Sequence, residues 1–172
     1  MKISTKQITF LGMILVFAMM VSYIERLIPP LIPTLPGIKL GLANIVVLIL
    51  MYLRGYKTAL CLNVLRVLLT GLLFTGVWGT VYAMAGALLS FAAMSAFKAS
   101  RCFGVVGVSV IGGACHNLGQ ICVAVLVMDS VKLFYYFPVL LISGVITGAL
   151  IGYLAGIVIN RLNAANFDRM RF

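Results

Sequence analysis

Of the 172 residues, 63% are hydrophobic and only 9% are charged, with a formal net charge of +10. A soluble domain carries about a quarter charged residues, so this chain cannot furnish a water-facing surface and the bilayer is its natural solvent. The positive excess needs no nucleic acid: basic residues beside apolar spans face anionic lipid heads and set topology.

Six apolar runs lie near 8–28, 40–53, 58–73, 79–97, 104–127 and 136–160, the second and third being short. Each approaches the ~20 residues that cross about 30 Å of hydrocarbon. Runs of this length predict helices rather than barrel strands, which span with about ten alternating residues. The expected fold is all-α: a polytopic bundle of six transmembrane helices forming a single integral membrane domain over residues 1–172. With the N-terminus cytoplasmic, the inner segments hold Lys2, Lys6, Arg54, Lys57, Lys98, Arg101, Arg161, Arg169 and Arg171. The outer loops hold Arg26, Lys39 and Lys132. That bias predicts a multi-pass protein of the cell membrane with both termini cytoplasmic. The first run lacks a small-x-small cleavage site and is long for a signal h-region, so it reads as an uncleaved span.

In the first run Ala18 and Ser22 are small residues at i+4 spacing, which suits either packing within the bundle or docking of another subunit. The following "PPLIPTLPGIKLG" holds Pro29, Pro30, Pro33 and Pro36, cannot be helical, and reads as a stiff cap over the outer face. Asn44 begins the second run. In the third, Asn63, Arg66 and Thr70 fall at i, i+3 and i+7, one helical face. The fourth carries small residues at Gly79, Ala83 and Ala87 and at Gly86 and Ser90. In the fifth, His116, Asn117 and Gln120 of "CHNLGQ" share an arc of about 100°. The last has Gly144, Gly148, Gly152 and Gly156, a ladder into which another helix can press. Cys61, Cys102, Cys115 and Cys122 form no CxxC pair and read as packing residues.

Arg66 is the most expensive of these, at roughly 2.5–3.5 kcal/mol for an arginine near mid-membrane. Glu25, Asp129 and Asp168 all fall at the ends of spans, so its expected partners are carbonyls, the amides of the fifth helix, water or an anionic ligand. The polar faces either lock helices together or line a shared, outward-facing pocket for a small polar molecule; the pocket is the expectation carried forward. Missing motifs narrow the chemistry. Clustered aspartates for a Mg²⁺-diphosphate site, a GxxxxGK[ST] loop, HExxH and a carboxylate within a span are all lacking. The expectation is binding without catalysis, with no cofactor and no bound metal.

The segments "LPGIKLGLANIVVL", "VLRVLLTGLL", "AGALLSFAAM", "GVSVIGGACHNLGQ" and "YFPVLLISGVITGALIGYL" resemble the Gx transporter family, often labelled heptaprenyl diphosphate synthase component I. The missing aspartates conflict with that label. The family is similar to the S components of energy-coupling factor transporters. The resemblance implies a six-helix subunit that captures a vitamin or cofactor precursor under a first-loop lid. It also implies docking on a transmembrane coupling subunit driven by ATPases. Onto matching positions it carries a pocket of Lys39, Asn44, Arg66, His116, Asn117 and Gln120, beside which Asn63 shares the Arg66 face. Docking through an AxxxA pattern is met here only by Ala18-x-x-x-Ser22. The alternative reading is a membrane accessory of isoprenoid or quinone synthesis that presents a lipid substrate to another enzyme.

Overall fold

The computed structural model of the chain describes residues 5–27 and 41–165. The proline-rich cap, Lys39 and the chain beyond residue 165 lie outside the described residues. The described residues form helices α1 (Thr5–Leu27), α2 (Asn44–Leu53), α3 (Tyr56–Thr70), α4 (Gly76–Ser100), α5 (Val105–Met128) and α6 (Phe137–Ala164). A π-helical turn, Gly71–Thr75, joins α3 to α4, and a 3₁₀ turn, Val131–Tyr136, leads into α6. No strand occurs among the described residues.

Four helical stretches are long and apolar enough to cross a membrane: Thr5–Leu27, Tyr56–Ser100, Val105–Met128 and Val131–Ala164. The second folds back on itself. Gly76 has φ +70° at the end of the π turn, a conformation open to glycine because it lacks Cβ. Beyond it α4 runs antiparallel to α3, so that Asn63 Nδ2 donates to Ala87 O at 3.4 Å.

The second apolar run departs from its expected extent. Helix α2 has 10 residues, about 15 Å at 1.5 Å per residue, roughly half the hydrocarbon thickness. It starts only at Asn44 because Gly41, at φ +79°, turns the chain and its carbonyl accepts from Asn44 N at 2.9 Å. The start of α2 is therefore buried within the bundle, with Ala43 and Asn44 at 0% and 5% exposure. Its other end is capped from a neighbouring helix. Lys98 Nζ on α4 donates to Met51 O and lies 4.5 and 4.6 Å from the ring centres of Tyr52 and Tyr56.

The glycine ladder of α6 meets α5 backbone to backbone. A Cβ on Gly144 would stand 2.7 Å from Gly113 O, one on Gly148 2.8 Å from Ser109 O, and one on Gly152 2.7 Å from Val106 Cα. Gly156, the fourth rung, has nothing within 4 Å and takes no part. The contact between α4 and α5 is equally close: a Cβ on Gly86 would lie 2.8 Å from His116 O, and one on Gly119 2.7 Å from Ala85 O. Small residues therefore pull α4, α5 and α6 together, which is how helices associate where lipid removes the hydrophobic drive between them.

Helix α1 buries Ala18, Ser22 and Glu25 and packs the partly buried Leu11, Ile14 and Leu15 against the core. Val16, Phe17, Met20 and Ile24 on α1 and Ile142, Ile146 and Leu150 on α6 are all exposed. Inside lie Glu25, Asn44, Asn63, Arg66, Ser90, His116, Asn117 and Gln120. Large apolar side chains outside and polar ones inside is the distribution that a lipid solvent selects.

Candidate functional site

The polar interior is organised around Arg66, on α3 and 7% exposed. Its Nη1 donates to Ser22 Oγ of α1 at 2.9 Å, and its Nη2 donates to Asn63 Oδ1, one turn earlier on α3, at 2.8 Å. Asn63 is itself anchored to α4 through Ala87 O. The guanidinium is thus fixed from two helices. Its Nε is buried with no hydrogen-bond partner among the described residues.

Beside it lies a cavity of about 20 Å³ bounded by Ser22, Glu25, Gly41, Asn44, Arg66, Val67, Thr70, Ala83, His116 and Gln120. A cavity needs about 10–15 Å³ to hold one water, so the closed site is the size of a water or two. Five helices contribute to its wall, and α6 alone does not.

Glu25 is the residue whose part in the site sequence reasoning missed. Its position near the end of the first apolar run suggested the membrane boundary, yet it is 6% exposed and lines the cavity. One carboxylate oxygen accepts from Gly41 N, and the side chain shares the cavity wall with Arg66. A carboxylate does therefore stand within the bundle, contrary to the expectation that Arg66 would find none. The signal was available: Glu25 follows Ala18 and Ser22 at i+7 and i+3, on the same face of α1 as those two small residues.

The expected site residues separate into groups. Asn44, Arg66, His116 and Gln120 meet at the cavity. Asn63 stands behind Arg66 and orients it. Asn117 turns away: its Nδ2 donates to Leu140 O of α6 at 2.7 Å and to Ser143 Oγ at 3.3 Å. It ties α5 to α6, its azimuth lying about 100° from that of His116, and its Oδ1 is buried with no hydrogen-bond partner among the described residues. Lys39 lies outside the described residues. Ala18 and Ser22, expected on a docking face, are 0% and 6% exposed and face the bundle. Their spacing serves packing here, with Ser22 Oγ also donating to Ala18 O at 3.0 Å. Thr70, noted only as sharing the Arg66 face, lines the cavity while its hydroxyl donates to Arg66 O at 2.8 Å. Gly41 and Ala83 complete the wall as small residues. Had Gly41 a Cβ, it would meet His116 Cδ2 at 3.0 Å and Asn44 Nδ2 at 3.1 Å.

A helical bundle with a lipid-suited exterior, a fixed buried guanidinium and a small polar chamber defines a membrane-type protein with an internal polar site. The family model described as heptaprenyl diphosphate synthase component I matches residues 14–158. The chain belongs to that family. No curated protein and no solved structure matches it.

Proposed function

We propose that this protein is the substrate-binding membrane subunit of an uptake system, similar to the S components of energy-coupling factor transporters. On this reading it captures a vitamin or cofactor precursor and binds without catalysing. A separate transmembrane coupling subunit and ATPases supply the energy. The lysine and arginine bias implies that both termini are cytoplasmic, so on this reading α3 and α4 cross separately and the short α2 carries the chain across only together with the residues around it.

The observation that carries this reading is Arg66: two of its nitrogens are anchored to the protein, Nε has no partner among the described residues, and the cavity lies alongside. A buried donor left unmade costs about 1–3 kcal/mol, more for a charged group, and a ligand acceptor supplies what the fold withholds. The N-terminus of α2, with its positive dipole end, borders the same space through Asn44. Glu25 adds a carboxylate, so the favoured ligand carries both donor and acceptor groups rather than a bare anion. A ligand of cofactor size needs a pocket of about 300 Å³ or more, far beyond the closed cavity. The contacts that close it are Ser22 to Arg66 and Glu25 to Gly41. Both pass through α1, the least buried of the long helices, so admission proceeds by displacing the second half of α1.

The test is mass spectrometry of small molecules that co-purify with the detergent-extracted protein, wild type against Arg66→Ala and His116→Ala. The wild type is expected to retain a polar molecule that both variants lose while keeping wild-type helical content. Retention by both folded variants at wild-type occupancy would overturn the assignment.

A second reading, a membrane accessory that presents a lipid substrate to an isoprenoid or quinone enzyme, draws on the family description and on an apolar groove of about 260 Å³. It predicts that isoprenoid diphosphates, not water-soluble precursors, are the molecules retained.

A further inference from the structure

The wall of the polar cavity carries two ionised side chains of opposite sign, Glu25 from α1 and Arg66 from α3, and no other among the described residues. With His116 as the neutral imidazole, its formal charge is zero. Each charge is seated by a bond of its own. Glu25 accepts from Gly41 N, and Arg66 Nη2 donates to Asn63 Oδ1 at 2.8 Å. Asn63 sits on the same helix as Arg66 and is tied to α4, so the guanidinium keeps its place when α1 withdraws.

Admission of a ligand by displacement of the second half of α1 takes Ser22 and Glu25 away from Arg66 and parts the two charges. A molecule with one charge leaves the opposite wall charge buried and uncompensated when α1 closes again, which is costly. An uncharged molecule compensates neither. Only a molecule that bears both signs answers both. Arg66 Nε identifies the anionic half: the residue is 7% exposed, and Nε has no hydrogen-bond partner among the described residues. Its N–H can take an acceptor while the Asn63 contact stays intact. Hydrogen bonds from a guanidinium to an ionised acceptor are roughly twice as strong as neutral ones, which favours a carboxylate there over a carbonyl. A diphosphate would bring more negative charge than Arg66 alone balances.

Resting on the uptake reading above, we propose that the substrate is a zwitterion of zero net charge. Its carboxylate accepts from Arg66 Nε, and from Nη1 in place of Ser22 Oγ, while its cationic nitrogen donates to Glu25. The ligand thus enters between the two wall charges and leaves the closed chamber neutral. Selectivity comes from the pair, since Arg66 alone would admit an anion and Glu25 alone a cation.

The experiment has two arms. The first takes the small molecule released on denaturing the detergent-extracted full chain and reads its net charge at neutral pH by capillary electrophoresis with mass detection. A molecule of zero net charge with both an acidic and a basic group is expected. The second measures binding of three matched probes to the purified protein emptied of ligand: para-aminomethylbenzoate, para-methylbenzoate and para-methylbenzylammonium. The zwitterion is expected to bind about tenfold more tightly than either ion, the factor set by one buried contact left unmade. Glu25→Gln should turn the preference toward the anion and Arg66→Gln toward the cation, in variants that elute as single species with wild-type helical content. A retained molecule with a net charge, or with no ionised group, would overturn the proposal and leave the uptake reading standing. So would a wild type that binds para-methylbenzoate as tightly as the zwitterion. Where no probe binds, the charge of the retained molecule decides. No retained molecule and no binding of any probe would overturn both readings together.

Discussion

Ser22 Oγ accepts a hydrogen bond from Arg66 Nη1 at 2.9 Å, across a sequence separation of 44 residues. This contact joins α1 to α3 and closes the polar cavity on one side. A serine at this point does what a larger residue could not. It lets α1 approach and still offers an oxygen to the guanidinium.

Ser22→Ala should accordingly leave one guanidinium nitrogen without its acceptor, at a cost of about 1–3 kcal/mol. Thermal unfolding of the detergent-solubilised protein should show a midpoint lower by several degrees. An unchanged midpoint would mean that the cavity rehydrates freely and the contact contributes nothing.

Glu25 and Arg66 should behave as a pair. The two opposite charges share the wall of one cavity; leaving one buried charge without its counterpart is costly, whereas replacing both is often far milder. Glu25→Gln and Arg66→Met are each expected to destabilise strongly, and the double variant by clearly less than the sum. Strict additivity in this cycle would show that the two charges do not act on each other.

The α5–α6 seam should tolerate no added bulk. Gly148→Leu drives a side chain into the backbone at Ser109, and over-packing of a tight contact costs about 1–3 kcal/mol. Gly156→Leu, with open space before it, is expected to leave the melting midpoint near that of the wild type. Equal effects at the two positions would contradict the packing described.

Asn117 and His116 are neighbours with different duties. Asn117→Ala should lower stability by about 1–3 kcal/mol, since it breaks the bond to Leu140 O, yet leave retention of any co-purified polar molecule intact. His116→Ala should do the reverse. Loss of that molecule in Asn117→Ala at full helical content would move Asn117 back into the site.

Much of this architecture was legible in the chain itself, and the failures are instructive. The glycines at 144, 148 and 152 announced a close helix contact, and the structure supplies the partner, α5. The face of Asn63 and Arg66 was visible from their spacing, and one indeed supports the other. The trio on α5 shared an arc wide enough to touch two neighbours, so periodicity could not reveal that Asn117 faces α6 while His116 and Gln120 face the cavity. Glu25 looked like a boundary residue because a run of apolar neighbours ends there, whereas its burial depends on a return of the chain at Gly41. The apolar run 40–53 concealed a short helix, since hydropathy counts apolar residues but does not see the turn that delays the helix to Asn44.

By itself the amino-acid sequence determined the solvent, the helical class and the small-residue seams, because these follow from composition and from the spacing of residues along one helix. Which polar group meets which was decided by the tertiary structure alone. Rotation of each helix about its axis, and the depth at which α2 starts, set whether a side chain faces a neighbour, a cavity or lipid. Both are fixed by contacts between segments far apart in the chain, such as Gly41 with Glu25 and Arg66 with Ser22.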